Sequence, residues 1–231
     1  PQISGQTLLV SAQDAAGNIG TAGNVLAPFK KVLADPAPKK FIIVHLLGTH
    51  IKYKFRYPDG QGKFDNNIDN VPAGLSNDEL EAYNDYDSAN VYNDHIIASL
   101  IKDYKATDPN GFLLYFSDHG EEVYDTPPHK TQGRNEDNPT RHMYTVPFLL
   151  WTSEKWQAAH PRDFSQDVNR KYSSSELIHT WSDLAGFTYD PTRAITSPQF
   201  KETTRWIGNP YKKNALIDYD TLPYGDQIGN Q

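Results

Sequence analysis

The chain has 231 residues, 37% apolar and 22% charged, a balance that suits one α/β-sized globular domain and excludes a disordered segment. Its net charge of −7 argues against a general nucleic-acid binder, which carries basic excess. The absence of cysteine excludes disulfide scaffolds, thiolate metal sites and cysteine nucleophiles.

The opening Pro-Gln-Ile-Ser-Gly has neither a basic nor an apolar stretch and reads as no signal peptide. No run approaches the ~18 consecutive apolar residues of a membrane span. Residues 1–24, rich in Gly, Ala, Ser and Gln, read as a loose lead-in to a body over 25–231. Asn24 to Leu33 predicts a short helix, closed by Asp35-Pro36-Ala37-Pro38, where two prolines forbid its continuation. Phe41 to Leu47 is almost wholly apolar and ends at Gly48, which predicts a strand buried on both faces, as in parallel sheets.

From Asn77 to Lys105 the period becomes helical, with Leu80, Tyr83, Val91, Ile96, Leu100 and Tyr104 on the apolar face. Acids lie toward the front of this segment and lysines at its back, as the helix dipole favours. Asp108-Pro109-Asn110-Gly111 is a turn, Phe112 to Ser117 a second buried strand, and Thr145 to Trp151 a third. Ser173 with Glu176 predicts a capping box opening a helix that runs to Ala185. The last ~45 residues, rich in Pro, Tyr, Asn and Asp, read as a wrap of loops and short helices. The sum is a layered α/β fold with a mostly parallel sheet.

In such folds the working residues gather beyond the carboxyl ends of the strands. The first strand runs into Gly48-Thr49-His50, and the second into Ser117-Asp118-His119-Gly120-Glu121-Glu122. A charged excursion from Val123 to Arg141 follows, carrying His129, with His142 just after it. Four of the eight histidines therefore lie at or just past two strand ends. A carboxylate and a neutral imidazole are both zinc ligands, and Gly120 is expected to let the chain turn so that Asp118 and His119 aim at one point. Bound divalent ions beside histidines suit phosphoryl or sulfuryl transfer, in which charge on several oxygens is neutralised.

Other residues have plainer readings. His45, inside the buried run, reads as a core histidine. His142 reads either as a phosphate contact or as packing before the third strand. Glu121 and Glu122 read as surface acids, or else as orienters of ligand histidines. Lys52 to Pro58 is locally basic and aromatic, which suits either an anionic, sugar-bearing substrate or a loop pinned by its rings.

Taken together, Val44 to His50, Arg56-Tyr57-Pro58, Asn84 to Asn90, Tyr92 to His95, Ser117 to Glu121 and Thr145 to Trp151 resemble the phosphoethanolamine transferases that modify bacterial lipopolysaccharide, within the alkaline phosphatase and sulfatase superfamily. Glu122 to Asn135 and Thr204 to Tyr211 resemble the branch that modifies a core heptose. The resemblance implies zinc held by Asp118 and His119, with His50 and His129 assisting at the phosphate, either directly or through a second metal, and His142 a candidate for the same pocket. It implies phosphatidylethanolamine as donor, lipopolysaccharide as acceptor, and a covalent threonine intermediate, at the periplasmic face of the inner membrane.

The family's ligand glutamate and nucleophilic threonine lie well upstream of the Gly-Thr-His segment. Here only 47 residues precede Gly48, and the first glutamate is Glu79. The expectation is therefore a C-terminal part of a larger, membrane-anchored enzyme, weak in zinc binding and inactive alone. Two other functions fit the metal motif: a phosphatase, phosphodiesterase or sulfatase of the same superfamily, and a non-catalytic lipopolysaccharide-binding accessory domain.

Overall fold

The structure, a computed structural model, describes residues 22–64, 67–208 and 216–222. The expected lead-in therefore lies almost wholly outside the described residues. The chain divides after Asp108 into two compact units.

In the first unit a 3-10 turn, Ala22–Val25, leads into α1, Leu26–Leu33, which buries Phe29. α2, Asn77–Lys105, forms over the residues its periodicity predicts. Ser76 Oγ accepts from the Glu79 amide at 3.3 Å, and Glu79 Oε2 accepts from the Ser76 amide at 2.7 Å, so two otherwise orphaned donors are satisfied together. Asp78 and Glu79 occupy the first turn and Lys102 and Lys105 the last.

The buried face of α2 changes character along its length. Its second half buries Ile96, Ile97 and Leu100, whereas its first half buries Asn84, Asp85 and Ser88. Those polar groups hold the loop before the helix. Tyr57 Oη donates to Asp85 Oδ1 at 2.6 Å, Ser88 Oγ accepts from the Lys63 and Phe64 amides, and Asn84 Nδ2 donates to the Asn67 carbonyl. Val91, expected on the apolar face, is exposed.

Residues 41–47 join no ladder among the described residues, and Phe41 and Ile43 are exposed, 66% and 76%. The expected doubly buried strand is thus not formed here, and His45 is an exposed residue instead of a core histidine. An apolar run becomes a strand only where a second segment supplies its hydrogen bonds, and composition does not name that partner.

In the second unit β1, Phe112–Phe116, pairs antiparallel with β4, Phe148–Thr152, setting Phe112 opposite Thr152 and Phe116 opposite Phe148. Ser153 closes this ladder by exchanging hydrogen bonds with Gly111. Between the two strands lies a short hairpin, β2, Glu122–Val123, against β3, Gln132–Gly133. α3, Glu154–Ala159, buries Trp156 against the Phe112 ring.

α4, Leu177–Ala185, follows a 3-10 turn at Ser174–Glu176 and ends at Gly186, whose φ of 73° a glycine adopts without strain. The expected capping box is not made: Ser173 Oγ accepts from Ser175, and the Glu176 carboxylate pairs with Arg193. The tail forms β5, Trp206–Gly208, antiparallel to β6, Leu216–Asp218, where only loops and short helices were expected.

Helices and sheet in one chain satisfy the α/β class. The ladders among the described residues are all antiparallel, however, where a mostly parallel sheet was expected. β1 and β4 are separated by a hairpin and turns, with no crossover helix between them, and that connection returns the chain antiparallel.

Candidate metal centre and catalytic histidines

β1 delivers Ser117, Asp118 and His119 to one point past its carboxyl end. Ser117 Oγ donates to the His119 carbonyl at 2.7 Å, and the His119 amide donates to Asp118 Oδ1 at 3.1 Å. His119 Nδ1 lies 2.8 Å from the Gly120 carbonyl, which can only accept. Nδ1 therefore carries the proton, and the lone pair sits on Nε2. That Nε2 is 3.9 Å from Asp118 Oδ1, and the Asp118 side chain is 84% exposed. An accessible carboxylate beside an imidazole of this tautomer fits two ligand positions of a zinc ion. Among the described residues, no group of three or more His, Asp or Glu side chains is close enough to hold a metal.

Gly120 serves this turn differently from the expectation. Its φ is not among the positive ones. What requires glycine is crowding: a Cβ would lie 2.0 Å from the His142 carbonyl oxygen. The Gly120 amide donates to the Met143 carbonyl at 3.0 Å, bringing the His142 backbone against the Asp118-His119 turn.

The tail secures that second segment. Arg141 Nη2 donates to the Leu222 carbonyl at 2.7 Å, and its guanidinium lies over the Tyr219 ring, 4.5 Å from the centroid. Tyr219 Oη and Thr145 Oγ1 are 2.7 Å apart. Both ends of the 141–145 turn that carries His142 are thus held by residues near the C-terminus. Composition alone pointed to none of them, although the neighbouring Thr204 to Tyr211 resembles the heptose-modifying branch.

His129 lies in the loop of the β2–β3 hairpin, at a φ of 60°, with Nδ1 2.7 Å from the Tyr124 carbonyl. The excursion is built around Glu122, which is fully buried. Glu122 accepts from the Thr126 amide and hydroxyl, each at 2.8 Å, and from the Thr140 hydroxyl. A surface acid was one expectation for this residue; the structure makes it a buried anchor. Asp125 sits beside it, its carboxyl pushed up by burial and by Glu122, against the opposing pull of His142 and the Val123 amide.

His50 belongs to the first unit. It is exposed, and its carbonyl accepts from Arg56 Nε at 2.9 Å while Ile51 accepts from Nη2 at 3.0 Å. Arg56 is buried and clamps this turn from beneath. Beside it, burial and the bond to Asp85 push the Tyr57 hydroxyl up to about 12, so it stays a donor at neutral pH.

The sulfatase family profile matches residues 9–187, and the chain belongs to that family. Over 211 residues it is 89% identical to the phosphoethanolamine transferase CptA of Salmonella typhimurium and 82% identical to the phosphoethanolamine transferase EptC of Escherichia coli K12. Each alignment covers 90% of this chain and 37% of the relative, so the chain spans little more than a third of their length. A crystal structure of the C-terminal periplasmic domain of EptC from Escherichia coli, in complex with Zn, superposes with a TM-score of 0.90 at 78% identity. It matches 95% of this chain and 62% of that one. No helix among the described residues is long and apolar enough to cross a membrane.

Proposed function

We propose that this chain is the metal-binding part of a periplasmic phosphoethanolamine transferase, anchored at the inner membrane by a segment outside it. The enzyme takes phosphoethanolamine from phosphatidylethanolamine and passes it to a core heptose of lipopolysaccharide. The observation that carries the reading is the turn after β1, where Asp118 and the Nε2 lone pair of His119 stand together on a chain so similar to transferases.

Asp118 and His119 would hold zinc, together with a glutamate and the nucleophilic threonine outside this chain. Bound there, zinc lowers the pKa of the threonine hydroxyl and neutralises phosphoryl oxygens. In the first step the threonine oxygen bonds to phosphorus and the donor's glycerol oxygen leaves, taking a proton as diacylglycerol. In the second the sugar hydroxyl gives up its proton, bonds to phosphorus and displaces the threonine.

His129, its Nδ1–H donated to Tyr124, exchanges a proton through Nε2 and is assigned to the leaving alkoxide. His50 and His142 are assigned to the phosphate oxygens.

The test is mass spectrometry of lipopolysaccharide from cells lacking the full-length gene, complemented in turn with wild type, Asp118→Asn and His119→Ala. One phosphoethanolamine on a core heptose should vanish on deletion and return only with wild type. Restoration by either variant overturns the assignment.

A further inference from the structure

A second site lies in the second unit, built from residues the proposed chemistry does not use. After Arg170 the chain lines a small cavity of about 120 Å³, room for a tetrahedral anion with its water. Tyr172 and Phe200 wall it, and Lys171, Arg193 and Lys201 face it against one carboxylate, Glu176. A second carboxylate, Glu202, lies in the adjoining groove and accepts from the Lys171 amide at 2.8 Å. Arg193 is paired with Glu176, and Lys171 shares Asp220 with Arg205. The Lys201 ammonium has no partner among the described residues, although its backbone is fixed to Thr192.

The cavity opens into a wider groove through Ser173, Glu176 and Thr203, which line both. Along the groove stand Ser175, Thr204 and Glu202, and at its edge Trp206, 60% exposed. The β5–β6 ladder fixes the Trp206 backbone opposite Asp218, and the ring stands exposed at the groove. An aromatic face with hydroxyl and carboxylate groups beside it suits a pyranose ring: the sugar's C–H bonds meet the negative ring face and its hydroxyls meet the polar wall. The cationic cavity next to it suits a charged substituent on that ring or its neighbour.

We propose that this groove is a binding subsite for an anionic saccharide, with Trp206 under a sugar ring and Lys171, Arg193 and Lys201 around its phosphate or carboxylate. The proposal rests on the transferase reading, because it gives the acceptor's sugar chain a place on this unit.

The experiment is calorimetric titration of the 231-residue chain with lipopolysaccharide core oligosaccharide, freed of lipid and still phosphorylated. Parallel titrations use the same oligosaccharide after hydrofluoric-acid dephosphorylation, and inorganic phosphate alone. Trp206→Ala should weaken binding of the phosphorylated form at least tenfold, and Lys201→Gln at least threefold. Dephosphorylation should reproduce the Lys201→Gln loss and erase any further effect of that substitution.

Both positions are exposed, so neither variant threatens folding. Equal affinity in wild type and both variants overturns the subsite, as does absence of binding to wild type. Phosphate binding as tight as that of the oligosaccharide overturns its saccharide part. Binding by this chain and transfer by the longer protein are separate readouts, so either can fail alone.

Discussion

Gly120 donates its amide to the Met143 carbonyl at 3.0 Å, and in doing so joins the Asp118-His119 turn to the segment that carries His142. A methyl group at 120 would meet the His142 oxygen at 2.0 Å and the Thr145 oxygen at 2.7 Å. Backbone oxygens cannot rotate away as a flexible side chain can. The 141–145 turn is further fixed by Arg141 on Leu222 and by Thr145 on Tyr219.

Gly120→Ala should therefore destabilise the chain by about 1–3 kcal/mol, the usual cost of overpacking. Urea unfolding measures this directly. A midpoint unchanged from wild type would show that the two segments are not locked together as described.

Glu122 predicts a loss centred on one excursion. Its carboxylate is fully buried and accepts from Thr126 twice and Thr140 once. Glu122→Ala strands those donors, at a cost on the order of 3 kcal/mol or more, whereas Glu122→Gln keeps the shape and one acceptor and costs less. Limited proteolysis should then cut the Glu122→Ala variant first within residues 123–141. Cleavage elsewhere, or resistance equal to wild type, would remove Glu122 from its anchoring role.

Zinc binding by this chain is predicted to be weak. Asp118 and His119 would provide two ligands, where structural zinc sites use four and reach apparent binding energies of ~10–16 kcal/mol. Competition against a chromophoric chelator should give a dissociation constant around the micromolar range or weaker, roughly 8 kcal/mol or less. His119→Ala should abolish that binding. Nanomolar affinity, or binding that survives His119→Ala, would mean that other residues supply the ligands.

These contrasts show which parts of the molecule a sequence makes legible. α2 was readable to its ends because its signals are local: a helical period, acids in its first turn and lysines in its last. The capping-box pattern misled at Ser173, because Glu176 found Arg193 from a distant segment. Residues 41–47 carry a strand's composition, but a ladder depends on a partner elsewhere. Asp118 and His119 could be placed at a strand end because the apolar run before them is short and clean. Glycine at 120 was expected to let the chain turn, yet it is required by a neighbour 22 residues on. Glu122 and the tail residues that hold Arg141 and Thr145 were not legible, since their partners are fixed by tertiary packing.

The pair of exposed Arg162 and buried Asp183 yields a prediction in pH. Two hydrogen bonds of 2.5 and 2.9 Å join them, and Thr196 Oγ1 donates to the same carboxylate at 2.5 Å. Burial alone pushes the Asp183 carboxyl up, but Arg162, Thr196 and Tyr189 outweigh it and hold the group below its ordinary 3.8. The folded chain thus binds this proton less readily than the unfolded one. Its contribution to stability is fully present above the unfolded value and is lost as pH falls through the lower, folded one. Asp183→Asn removes the charge that Arg162 and Thr196 bond and should cost about 1.5–3 kcal/mol near neutral pH, the usual worth of hydrogen bonds to a charged group. Between about pH 5 and pH 3, wild type should lose stability faster than the variant, and the gap between them should narrow. Chemical unfolding of both proteins across that range measures the gap. A gap that stays constant with pH would show that the Asp183 charge contributes nothing beyond its shape.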